Sequence, residues 1–156
     1  MYDSLYAAYL IYFNRDRDYF ECHEVLEELW LAKDKDPRYK GLLQVAVSLY
    51  HFRNGNIPGA SKMMRYAVSR LTGLADRELG IRMDMLYKEI EHYAAQLERY
   101  REQPFPYRDL TILIADPLLQ EQVERTAPEI QPNVPQRRGP QRSAKHELKH
   151  KQHGAE

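Results

Sequence analysis

Apolar residues recur every three or four positions through the first hundred or so residues, and polar breaks divide that stretch into successive helices. Asp3 stands where it can cap a helix running to about Asn14, with Leu5, Tyr6, Tyr9, Leu10 and Phe13 at helical spacing. The polar run Asn14-Arg15-Asp16-Arg17-Asp18 interrupts it. Asp18, three residues before Glu21, predicts a capping box for a second helix over about Tyr19 to Ala32. Asp36-Pro37 opens a third, since proline at the first helical position lacks only an amide hydrogen that the helix would not use. That helix reaches Arg53, where Asn54-Gly55-Asn56 ends it. Pro58 lies in the first turn of a fourth helix closing around Leu71 to Gly73. A fifth pattern covers about Asp76 to Arg101, with Ile81, Met85, Ile90, Tyr93 and Leu97 on its apolar side. The expected fold is all-α, an antiparallel bundle of about five helices.

The second and third helices carry the unusual pattern. At ~100° per residue, Tyr19, Cys22, Val25, Leu26, Leu29 and Trp30 fall on one arc of the second helix, expected to face the core. Glu21, Glu24 and Glu28 fall largely on the opposite side, and His23 and Glu27, one turn apart, border Trp30. The third helix is apolar nearly all round, which marks a central element, except for Gln44, Ser48 and His51 in one narrow polar stripe. Buried polar groups need partners, because an unsatisfied one costs ~1–3 kcal/mol. The stripe is therefore expected to face His23 and Glu27, with Glu24, across a seam between the two helices.

Beyond Gln103 the character changes. Pro104-Phe105-Pro106-Tyr107 is incompatible with a helix interior. The apolar Leu110 to Leu119 segment is expected to fold back as an extended or short helical strap. From about residue 126 to 156 the chain is rich in Pro, Gln, Lys, Arg and His, which reads as a disordered tail after a bundle domain over 1–125. Residues 137–153 hold six Lys or Arg and three His against one Glu, most simply a solubilising bias.

Composition narrows the function classes. The 23 basic and 23 acidic side chains balance, so no whole-molecule field draws nucleic acid or a membrane surface. The lone Cys22 excludes an internal disulfide framework and fits a reducing compartment; without a signal-like or membrane-length apolar run, a cytoplasmic location is expected. Twelve tyrosines outnumber four phenylalanines and one tryptophan, suiting a thin core in which each ring is buried and each hydroxyl reaches an edge. Tyrosines of the first and fifth helices offer a face for a homo-oligomer.

Three chemistries fit the seam. A hydrogen-bond network would lock helix register. A metal site would take two nitrogens and a carboxylate from His23, His51 and Glu27, a set suited to Zn or non-haem Fe. Metal-free acid–base work would use Glu27 to orient an imidazole and raise its pKa. Position 27 is Glu, so the two-histidine metalloprotease grip is absent. Glu89 and His92 form a single Glu-x-x-His, where a di-iron bundle needs two such pairs and two further glutamates. Cys22, on the core arc, reads as a small buried hydrophobe.

The set Asn14, Tyr19-Phe20-Glu21-x-His23-Glu24-x-x-Glu27-x-x-Trp30, Gly41-x-x-Gln44, Tyr50-His51 and Gly55-Asn56-x-x-Gly59-Ala60 resembles domain-of-unknown-function family 309 over about residues 12–72. Pro106-Tyr107-Arg108, Thr111 and Asp116-Pro117 resemble the family's C-terminal strap more loosely. The resemblance implies an all-α antiparallel fold and no particular activity. It also implies that Glu21, His23, Glu24, Glu27, Trp30, Gln44 and His51 belong to one site, to which the polar stripe adds Ser48. The expected function is a binding or scaffold module for a protein or small molecule. The alternative is a metal-dependent, hydrolase-like enzyme using His23, Glu27 and His51, with Glu24 or Glu27 as base.

Overall fold

The computed structural model describes residues 1–132, and the helices form where the capping residues allow them. Helix α1 spans Ser4–Ile11, its first turn capped by the Asp3 carboxylate on the Leu5 amide at 2.8 Å. It runs on as a π turn over Tyr12–Asp16 and stops at Arg17, whose φ of 53° is left-handed. Helix α2 spans Tyr19–Ala32, with the Asp18 carboxylate accepting from the Glu21 amide at 3.1 Å. The Asp18 amide also donates to Tyr12 O, which ties the start of α2 to the end of α1. Helices α3 (Pro37–Arg53), α4 (Ile57–Leu71) and α6 (Pro117–Thr126) each carry proline in the first turn, behind the caps Asp36, Asn56 and Asp116.

Helix α5 is shorter than its apolar pattern, covering Met83–Glu98. Ile81 is extended and forms an antiparallel bridge with Ile114 of the strap, where the periodicity placed it on a helix. The cause is Gly80. Its φ of 74° ends a short 3-10 turn over Glu78–Gly80, and a Cβ there would sit 2.5 Å from the Tyr2 hydroxyl. The Gly80 carbonyl accepts from the Ala115 and Asp116 amides, tying the start of α6 to the start of α5.

Helix α3 lies at the centre, with residues 40–49 buried on every face. It runs antiparallel to α2: the Phe20 ring packs near Tyr50 at one end, and Lys40 near Trp30 at the other. It is also antiparallel to α4, where Gly41 allows close approach. A Cβ on Gly41 would come within 2.6 Å of the Leu71 side chain. Tyr6, Tyr9, Tyr19 and Tyr93 are fully buried, and their hydroxyls find oxygen partners as the composition predicted. Tyr6 donates to Leu79 O, Tyr9 to Leu42 O and Tyr93 to Arg108 O. Burial raises the pKa of Tyr6 and Tyr9 well above 10. Tyr12 at the end of α1 and Tyr87 of α5 remain half-buried.

The strap closes the bundle as extended chain from Pro104 to Ala115, followed by α6. Phe105 and Tyr107 pack around Phe52, whose ring centroid lies 5.1 and 5.7 Å from theirs. Asn14, projecting from the π turn, bonds both backbone groups of Ile112: its Nδ2 donates to the carbonyl at 2.8 Å and its Oδ1 accepts from the amide at 2.9 Å. Regular structure continues past residue 126, where the tail was expected to start. Thr126 closes α6, and the Arg15 guanidinium donates to the Ala127 and Ile130 carbonyls. Residues 133–156, the rest of that expected tail, lie outside the described residues. Among the described residues no helix is long and apolar enough to cross a membrane.

Asn14→Ala would leave two strap backbone groups without their partner. Chemical denaturation should show a loss of ~2–4 kcal/mol, with faster amide exchange at Ile112; unchanged stability would show that the strap does not depend on this clamp.

Candidate functional site

Helix α2 buries its hydrophilic residues together with its apolar ones. Exposures of Glu21, His23, Glu24 and Glu27 are 6, 2, 7 and 1%, while Glu28 is exposed. The expected solvent side of this helix is thus corrected for Glu21 and Glu24, because neighbouring elements enclose α2 over a wider arc than its apolar residues cover. Trp30, expected in the core, is half-buried, and so is Val25. Cys22 is fully buried, its thiol 3.6 Å from Tyr9 O, and burial pushes its pKa well above 9. It is a packing residue.

The pairing of the polar stripe differs from expectation. Ser48 Oγ donates to Ala60 O at 2.7 Å, and Gln44 Oε1 accepts from Arg70 Nε at 3.0 Å. Both partners belong to α4. His51 stands at the turn between α3 and α4, its Nδ1 3.3 Å from the Asn56 amide nitrogen and its Cδ2 beside Gly59. The physical reason is the close α3–α4 approach at Gly41, which turns this edge of α3 towards α4. His23 Nδ1 lies 3.9 Å from Glu24 Oε2, within α2 itself. Among the described residues, no group of three His, Cys, Asp or Glu side chains is placed to hold a metal ion.

Lys40 joins the two sides of the seam, and the sequence reading missed it. It lies one turn before Gln44 on the same stripe, yet a helical lysine reads by default as solvated. Here it is 5% exposed, with Nζ 4.2 Å from the Trp30 ring centroid. Desolvation pushes its pKa down from 10.5 to about 8; the Arg70 charge adds to that fall and the Glu27 carboxylate opposes it. The site is therefore a mixed-charge seam: His23, Glu24, Glu27 and Trp30 from α2, Lys40 and Gln44 from α3, and Arg70 from α4. Such a set can present an acceptor carboxylate, an aromatic face and an amine that titrates near neutrality.

A family model described as "Domain of unknown function (DUF309)" matches residues 6–63. "Uncharacterized protein YpuF" of Bacillus subtilis (strain 168) is 34% identical over 128 residues, covering 78% of this chain and 70% of its own length. The chain belongs to the DUF309 family. An "Uncharacterized protein" of Aquifex aeolicus (strain VF5) is 29% identical over 77 residues, 47% of this chain and 23% of that protein. No solved structure matches. The DUF309 segment carries every site residue singled out from the sequence, together with Lys40; Arg70 and the strap lie beyond it.

Two outcomes test this geometry. The unfolded chain holds the Lys40 proton to about pH 10.4, whereas the folded chain releases it near 8, so raising the pH between those values favours folding. The melting temperature of wild type relative to Lys40→Met should therefore climb from about pH 7.5 to about pH 9.5; a flat difference would show that Lys40 stays charged when folded. Adding Zn(II) or Fe(II) should leave the melting temperature unchanged, and a rise that His23→Ala abolishes would restore the metal centre.

Proposed function

We propose that this chain is a binding module whose recognition element is the mixed-charge seam between α2 and α3. What supports the reading is the burial of His23, Glu24 and Glu27 on α2 and of Lys40 on α3, with Lys40 Nζ over Trp30 and within reach of the Glu27 charge. Taking carboxylates and an ammonium out of water costs several kcal/mol per ion before their mutual attraction is counted. A bundle that needed only a core would fill these positions with Leu and Met, as it does around Leu42, Leu43, Met63 and Met64. Charges held in a fixed arrangement suit recognition of a polar partner, because they are oriented before it arrives. Trp30 and Arg70 reach solvent and form the accessible edge of the seam.

The test separates recognition from a purely structural lock. Glu27→Leu alone should destabilise by ~3–5 kcal/mol, since Lys40 loses its buried counter-charge. Glu27→Leu combined with Lys40→Met should be as stable as wild type or more so, by up to ~4 kcal/mol. Urea denaturation reads both. A double variant several kcal/mol less stable than wild type would make these charges part of the folding code and remove the basis of the binding reading.

A further inference from the structure

The cleft between the first half of α5 and the strap shares no residue with the seam, and we propose that it binds a small monocarboxylate with an apolar body. The cleft encloses about 360 Å³. That lies at the small end of the ~300–1,000 Å³ usual for ligand pockets, the size of a metabolite. Its floor is apolar, formed by Leu86 and Leu110, both buried. Met85 and Leu113 flank it with 42 and 44% of their surface exposed, an apolar rim on helix and strap.

Arg108 supplies the charge. Five described arginines are half-buried: Arg17, Arg38, Arg53, Arg82 and Arg108. The first four donate to an acceptor: Arg17 to Leu110 O and Thr111 Oγ1, Arg38 to Asp36 and Glu78, Arg53 to Arg17 O, and Arg82 to Asp84. Arg108 donates to none of the described groups. Its guanidinium carbon lies 4.3 Å above the Tyr93 ring centroid and 5.8 Å from that of Phe105, and its own carbonyl is held by the Tyr93 hydroxyl at 2.9 Å. These ring contacts position the guanidinium and use none of its N–H groups, which a carboxylate can meet with two parallel hydrogen bonds.

The acids in the cleft select the charge of the ligand. Asp109 is engaged, with Oδ1 2.7 Å from the Tyr107 hydroxyl and 3.1 Å from that of Tyr19, and Oδ2 3.7 Å from Arg17. Glu89 lines the cleft from an exposed position and opposes a second negative charge. One negative charge on an apolar body satisfies Arg108 and both leucines; a phosphate dianion meets Glu89 as well.

The full chain, titrated with 3-phenylpropionate and followed by amide NMR, tests the assignment. Saturable shifts are expected at Met85, Leu86 and residues 108–113. Arg108→Gln should weaken binding at least about tenfold while leaving the melting temperature nearly unchanged. Arg108→Lys, which keeps charge without the fork, should fall between the two. Met85→Glu, on the exposed rim, should weaken binding without touching the arginine. Absence of saturable shifts at ~20 mM ligand, equal binding of neutral 3-phenylpropanol, or affinity indifferent to Arg108→Gln would overturn the site. Tighter binding of phenyl phosphate would overturn the monocarboxylate assignment.

Discussion

Helix α3 is apolar on nearly every side, and a helix of that kind cannot share a face with water. Leu42, Leu43, Val45, Ala46 and Leu49 are all removed from solvent, so several elements must surround them. Helices α2 and α4 flank α3, and Tyr9 of α1 reaches its backbone through the Leu42 carbonyl. The strap covers its C-terminal end through Phe105 and Tyr107 on Phe52. The close approach at Gly41 then decides which edge of α3 meets α4.

Enclosing α3 also encloses hydrophilic side chains that belong to its neighbours. Helix α2 cannot bury Cys22, Leu26 and Leu29 without drawing in His23, Glu24 and Glu27, because residues at adjacent positions of a helix are only ~100° apart. The first-turn Glu21 benefits from the positive end of the helix dipole. Lys40 stacks on Trp30 at the opposite end of the α2–α3 contact. The seam and the packing of the bundle are therefore one construction, and a substitution at Glu27 or Lys40 acts on both.

Tyrosine is the residue that makes so small a core workable. Each buried ring supplies apolar area, while its hydroxyl donates to a backbone carbonyl: Leu79 at the 3-10 turn, Leu42 within α3 and Arg108 in the strap. The strap is fastened by side chains standing in for a neighbouring strand, with Asn14 on Ile112 as the clearest case. The same fastening holds Arg108 over Tyr93 beside an apolar cleft.

The amino-acid sequence by itself determined helices α1 to α5 and most of their ends. Asp3, Asp18, Asp36 and Asn56 cap where their short polar side chains reach a free amide, and the all-round apolarity of α3 named the central helix. It also marked the segment around His23 and Glu27, since charged residues interleaved with a core arc are visible in a linear pattern. Only the tertiary structure decided which neighbour each polar group meets. Gln44 and Ser48 turned to α4 because helix spacing at Gly41 is a three-dimensional quantity, and Ile81 left its helical pattern because Gly80 bends against Tyr2. Lys40 stayed hidden for the same reason: periodicity fixes the direction in which a side chain leaves its helix, but burial depends on what stands opposite, and here that is Trp30.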